Sequence, residues 1–300
     1  MTTFFIVMWL AAAGTLVALW VWRQTDHRAD RLAMNRLAAM QPQSPLCFHP
    51  SMVSQLPAPA RRYFLHCIAP GTPLYTVARI TMTGHFGLGT RSKPGYLNMT
   101  ARETLAMPTG FIWKMRAGRG LICLSGSDSE HWTRFWLMGF LPVTRLGDDV
   151  DHRRSAFGRY VAEAVFWTPA ALLPGAGVRW LPVDASTARV LIEHNGLRQA
   201  VDVTVAADGA LTQICFARWS SANPQKMYRR QPFVGFASGY QEFSGFRLPT
   251  RVKAGNGFGT PDYFPFFIAR VTAVTFPLAD RVMKQNAGPP EMKRRNGIFW

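Results

Sequence analysis

Gly158–Asp184 reads GRYVAEAVFWTPAALLPGAGVRWLPVD, the one long helical pattern in a chain of 300 residues that otherwise reads as short strands. Phe157, Tyr160, Val161, Ala164, Thr168, Ala171 and Leu172 fall three and four apart, on one face of a helix. Phe166 and Trp167 widen that face, so the helix needs apolar neighbours on most sides. Thr168-Pro169 has the form of a capping residue followed by proline at the first helical position, which predicts a break and a second short helix. Pro174-Gly175 then stops the helix and Val178-Arg179-Trp180 opens a strand. A large apolar helix among strands requires a sheet to cover it.

Working outward, Val77 to Phe86, Tyr96 to Leu105, Phe111 to Arg116, Leu121 to Leu124 and Trp132 to Leu141 read as strands. After the helix come Thr187 to His194 and Leu197 to Ala206, joined by Asn195-Gly196, the best hairpin signal in the chain. Ala207-Asp208-Gly209 leads into Leu211 to Trp219, and Phe233 to Phe243, Phe246 to Ala254 and Phe267 to Phe276 follow. A shorter helix is expected around Pro59, with Tyr63, Phe64 and Cys67 turned inward. The predicted fold class is mainly β (α+β): a long antiparallel meander curled into a half-barrel around a central helix, plus one N-terminal transmembrane helix. The expected divisions are a transmembrane helix over 4–22, a juxtamembrane helix and linker over 23–45, a curved sheet domain over 46–279, and a disordered basic tail over 280–300.

Phe4 to Trp22 carries no charged residue and spans about 28 Å as a helix, close to a bilayer core. Trp20 and Trp22 stand where an interfacial aromatic belt would be, just before Arg23. With no basic leader and no small-residue cleavage site, the run reads as a retained anchor rather than a signal peptide. Arg23, Arg28, Arg31 and Arg36 follow the span, which places the body on the cytoplasmic side of a bacterial inner membrane. The net charge of +17 points to an acidic partner, and membrane lipid fits it. Nucleic acid does not, because arginine is spread over the chain with no basic recognition helix. No protein partner is specified. The four cysteines form no C-x-x-C pair and read as buried free thiols.

Chemical signatures are sparse. There is no P-loop, G-x-S-x-G elbow, H-E-x-x-H or G-x-G-x-x-G, and no set of side chains that implies a metal, a cofactor or a catalytic residue. Asp148-Asp149-x-Asp151 reads as acids at a positive helix N-terminus. Glu163 stands out as the only acid between Asp151 and Asp184, inside an apolar helix. It is either a pocket carboxylate, touching a headgroup or acting as a base, or half of an ion pair with Arg159, Arg102 or Arg116. The load of 21 Phe and 10 Trp is enough to line a cavity as well as fill a core. The candidate ligand-binding set is Glu163, Phe140, Trp136, Phe166, Trp167, Trp180 and Tyr160, with Phe135, Phe264, Phe266 and Phe267 as further aromatic candidates.

Several phrases carry a resemblance: Leu56-Pro57-x-Pro59-x-x-Arg62-Tyr63, Leu137 to Val143, Tyr160 to Val165, Pro169-x-x-Leu172-Leu173-Pro174, Gly177 to Trp180, and Gly239-Tyr240 with Leu248 to Arg251. Over roughly residues 55 to 277 the chain resembles a bacterial family of often membrane-anchored proteins built on a domain of unknown function. Its strand–helix–strand plan is also similar to the lipoprotein-carrier (LolA/LppX-like) half-barrels. That likeness implies an apolar cavity for acyl chains and a periplasmic location, against the cytoplasmic side implied by the arginines. The expected function is a non-enzymatic, membrane-anchored binding protein for a lipid or other apolar ligand. The rivals are a membrane-tethered interaction module with a filled core and, behind it, a hydrolase using Glu163.

Overall fold

The structure, a computed structural model, describes residues 1–120 and 122–277. The tail expected over 280–300 lies outside the described residues. The apolar run opens α1 (Thr2–Ala38), one unbroken helix of 37 residues. Its most apolar window has a mean hydropathy of 2.2 and none of it is buried, so α1 is long and apolar enough to cross a bilayer. Its second half packs on the body, where Asp26, Asp30, Leu37 and Ala38 are buried. Gln41, at the head of the expected linker, is pinned as well. Its side chain donates to the Val77 carbonyl at 2.8 Å and accepts from the Thr76 and Val77 amides at 2.9 and 3.0 Å. A short helix α2 (Ala58–Cys67) follows, with proline in its first turn and Tyr63, Phe64 and Cys67 buried.

Six strands come next: β1 (Val77–Gly87), β2 (Tyr96–Ala106), β3 (Gly110–Arg119), β4 (Ile122–Ser129), β5 (Trp132–Leu137) and β6 (Leu141–Gly147). The run Trp132 to Leu141, predicted as one strand, is a hairpin. Met138 and Gly139 take φ values of 52° and 87°, and two consecutive left-handed residues make a tight turn. Methionine rarely occupies such a position, so Gly139 alone signals the turn and reads as an isolated glycine within a strand. The central helix α3 (Val150–Trp167) begins about two turns before the apolar periodicity does. Asp149 caps it, accepting from the His152 amide at 2.7 Å, and Asp151 lies in its first turn, accepting from Trp219 Nε1 at 2.8 Å. The helix ends before Thr168, and Pro169–Leu172 forms a single 3-10 turn.

Seven strands complete the described residues: β7 (Val178–Pro182), β8 (Thr187–His194), β9 (Leu197–Val205), β10 (Leu211–Ser220), β11 (Arg229–Phe243), β12 (Phe246–Asn256) and β13 (Phe264–Thr275). Asn195 and Gly196, with φ of 47° and 76°, turn β8 into β9. All thirteen strands form one sheet in the order β6-β5-β4-β3-β2-β1-β13-β12-β11-β10-β9-β8-β7, and every pairing is antiparallel. The two meanders meet at β1 and β13, so β6 and β7 are the free edges and α3 carries the chain from one edge to the other.

The contacts of α3 establish the curvature. It packs on β3 and also on β9, β10 and β12. In a flat sheet β3 and β9 would lie about 34 Å apart, while a helix with its side chains is about 10 Å across. The sheet therefore curls into a half-barrel with α3 in its trough. Register shifts in the β1–β13, β5–β6, β9–β10 and β12–β13 pairings assist the bend. The helix sits close to the strands where side chains are small: a Cβ on Gly235 would stand 2.9 Å from the Phe166 ring. On the β1–β6 half, α1 covers the outer face, where Leu37 joins Val77, Ala106 and Ile112 in a small second core.

Candidate functional site

The trough is not filled. Between α3 and the sheet lies a half-enclosed cavity of about 210 Å³. Phe86, Trp113 and Phe135 wall it from β1, β3 and β5, and Phe216, Phe233 and Phe267 from β10, β11 and β13. From α3 come Ala162, Phe166 and Trp167, with Arg159 and Glu163 on the same face. Asp128, Thr133 and Arg218 complete a polar end. Each strand sends alternate residues inward, so Ile214, Phe216 and Arg218 reach the cavity from successive inward positions of β10.

The polar end is organised around Arg159. Its Nε donates to Glu163 Oε1 at 2.9 Å, and its terminal nitrogen pairs with Asp128 Oδ2. Asp128 also accepts from the Thr133 hydroxyl, and the Arg159 guanidinium lies 4.5 Å from the Phe111 ring centroid and 5.0 Å from that of Trp113. Burial opposes the Arg159 charge, but Glu163, Asp128 and Glu103 outweigh it and raise its pKa. Of the three arginines that the sequence offered to Glu163, Arg159 is the partner.

Glu103 is the residue that sequence reading missed. It lies on β2, 1% exposed, behind the same cluster. Burial, the neighbouring charge of Glu163 and a hydrogen bond shared with it raise its pKa well above the usual 4.5. Glu103 Oε1 and Glu163 Oε2 are both buried without a hydrogen-bond partner among the described residues. The signal was present in β2, where Met99, Ala101, Glu103 and Leu105 occupy one alternating face and only Glu103 is charged. Trp113 and Trp167 also bury indole N–H groups without an acceptor among the described residues.

The candidate set divides. Glu163, Phe166 and Trp167 line the cavity together, with Phe135, Phe266 and Phe267. Trp136 does not, because it faces the opposite side of β5 from Phe135 and donates from Nε1 to Asp26 of α1 at 2.9 Å. Tyr160 is buried beside Phe111 and Phe157 and donates to the Pro108 carbonyl at 3.1 Å. Trp180 packs on Phe64 of α2 and donates to the Leu172 carbonyl at 2.9 Å. Phe140 is 43% exposed, just after the turn that joins β5 to β6. These four were singled out by aromatic character alone; strand parity sends Trp136 away from the cavity, helix face Tyr160, a place at the β5–β6 turn Phe140, and a place on the edge strand β7 against α2 Trp180. Phe264 sits by Tyr96, also outside the lining.

Residues 47–268 match a family of unknown function (DUF6544), and the chain belongs to that family. No curated protein matches the chain. Among solved structures, it is similar to a provisionally assigned outer membrane lipoprotein-sorting protein domain from Vibrio parahaemolyticus, at 9% identity and a TM-score of 0.36, covering 67% of this chain and 85% of that one. It is also similar to a LolA-superfamily protein from Nitrosomonas europaea, at 8% identity and a TM-score of 0.33, covering 75% of this chain and 92% of that one.

Proposed function

We propose that this family member is a membrane-anchored binding protein that holds a lipid or other apolar ligand in the trough between α3 and the curved sheet. The observation that carries the reading is the cavity itself. A core built only for stability closes to near-crystalline packing, whereas here about 210 Å³ stays open among aromatic side chains, with charged groups gathered at one end. An apolar chamber with a few convergent polar groups is the ordinary form of a ligand site. The apolar run of α1 supports the membrane part of the reading, since it would hold the chamber beside a reservoir of amphiphiles.

The test is native mass spectrometry of the full chain released from detergent. One amphiphile per chain should be retained, and Phe233→Asp, which puts a charge into the wall, should lose it. Phe140→Asp, which alters an exposed residue outside the cavity, should keep it. A native chain that flies empty, or equal retention by a folded Phe233→Asp variant, would count against the chamber as a ligand site.

One observation favours a second reading, a membrane-tethered interaction module. Phe140, Leu141, Val143 and Leu146 are exposed along the turn and strand at the free β6 edge, and an apolar row on a sheet edge is a docking surface in waiting.

A further inference from the structure

The two arginines at the polar end of the cavity stand in opposite situations. Arg159 is surrounded by the carboxylates of Asp128 and Glu163, which leaves those acids committed to it. Arg218 has no ion pair or hydrogen bond among the described residues, and its Nε is buried without a partner. Burial pulls its pKa down to about 10, and the nearby charge of Arg159 adds to that. The side chain lies 5.3 Å from the Phe233 ring centroid and keeps partial exposure where it lines the cavity. A guanidinium is weakly hydrated, never gives up its charge in ordinary conditions, and presents a planar fork that fits an oxyanion. Asp128 and Glu163 act on Arg218 only through space and are themselves bonded to Arg159, so the buried Arg218 Nε keeps a hydrogen-bonding capacity that an anion from outside would satisfy.

The size of the chamber limits what brings that anion. At about 210 Å³ it lies below the range of roughly 300–1,000 Å³ typical of pockets for drug-sized ligands. One short apolar chain fits such a volume and a diacyl lipid does not. We propose that the ligand is a single-chain amphiphile with an anionic oxygen headgroup, the headgroup on Arg218 and the chain among Phe216, Phe233 and Phe267. This rests on the chamber being a ligand site, and it adds the polarity, the charge and the orientation of the ligand. A fatty carboxylate and an alkyl phosphate share the chemistry that Arg218 recognises.

The experiment offers the full chain, held in lipid nanodiscs, three photoreactive probes with the same tail: analogues of decanoate, decyl phosphate and decanol. Crosslinked peptides are identified by mass spectrometry, so that label in the chamber is separated from label in the bilayer. At least one anionic probe should label β10, β11 and β13 at a concentration roughly tenfold to a hundredfold lower than the alcohol, the worth of charge-assisted hydrogen bonds to one arginine. Whichever anionic probe labels best identifies the headgroup as carboxylate or phosphate ester. Arg218→Gln should bring that probe to the level of the alcohol measured in the same variant, with a circular-dichroism melt like that of the native chain showing that the variant is folded. Equal labelling by all three probes in the native chain, or a preference that survives Arg218→Gln, overturns the headgroup assignment and leaves the chamber standing. Failure of all three probes to label these strands removes the chamber reading and the headgroup with it. The comparison within the native chain decides the matter even where the variant does not fold.

Discussion

Glu103 shares a proton-sized problem with Glu163: two carboxyls meet in a buried space that one arginine cannot neutralise. Its folded pKa is raised above the usual 4.5 by burial first and by Glu163 second. The sign follows from linkage. The stability contributed by the protonated form is fully present below 4.5 and is lost as the pH rises toward the folded value. Glu103→Gln keeps the shape and removes the titration, so the variant should gain on the native chain as the pH rises above 4.5. The gain is at most about 1.4 kcal/mol per pH unit until Glu103 ionises. Thermal melts of both proteins from pH 4.5 upward measure the gap, and curves that stay parallel over the whole range would show that Glu103 does not hold the proton. Of this cluster the sequence revealed Glu163 and Arg159, because a lone acid in an apolar helix and a base one turn earlier are visible at helical spacing. Glu103, Asp128 and Arg218 stayed hidden because a charged residue in a strand is read as facing water. A stricter reading compares it with residues two positions away, and Ile214-x-Phe216-x-Arg218 then marks a cation on the inward face.

The second half of α1 works as an element of the domain. Asp26 accepts both terminal nitrogens of Arg145 at 2.8 Å and Trp136 Nε1 at 2.9 Å, with Arg134 at 3.2 Å. Asp30 accepts from Arg134 at 2.8 Å and from Ser127 at 2.7 Å, and Lys114 lies 3.1 Å away. Burial alone would raise the pKa of Asp26, but the bonds from Arg145 and Trp136 and the charges of Arg134 and Arg145 hold it below the usual 3.8. The docking energy is therefore present above that value and is lost only in stronger acid. Asp26→Ala should weaken docking by roughly 3 kcal/mol, the loss from leaving a partly buried cation without its partner. Hydrogen exchange at the amides of residues 26–38 should accelerate accordingly, with amides of β10 and β11 unchanged. Uniform exchange in both proteins would mean that α1 is held by its apolar contacts alone. Sequence reading found α1, α3 and the alternation of most strands, since each is a local periodicity. Asp26 and Asp30 give no sign of this role in the sequence, because their partners lie about a hundred residues downstream and no local pattern pairs them.

At the scale of the molecule, α1 leaves the sheet at a definite level. The Trp22 ring packs edge-on to Trp136 with centroids 5.5 Å apart, and Arg145 stacks over Trp22 at 4.5 Å. One residue on, Arg23 donates to Ser125 Oγ at 2.9 Å, and a Cβ on Gly139 would stand 3.7 Å from its guanidinium carbon. The turn between β5 and β6 is thus level with the end of the apolar run. Exposed Phe140 and Leu141 follow that turn, and exposed Ile122 is tied in beside it through the bond from the Met138 amide to the Cys123 carbonyl at 2.8 Å. Arg116 and Arg119 are exposed on the neighbouring strand. In the proposed anchored arrangement, these apolar tips flanked by arginines, at the foot of a helix long and apolar enough to cross a bilayer, would enter an anionic membrane interface. A chain starting at Arg23, which keeps the docked half of α1, should still bind vesicles of anionic phospholipid, and added salt should weaken that binding. Phe140→Asp with Leu141→Asp should weaken it by at least tenfold, since burying one such side chain is worth roughly 1.5–3 kcal/mol. Co-sedimentation at several lipid concentrations measures the change. Binding that ignores the double substitution would leave the β6 edge free for a protein partner, as the second reading requires.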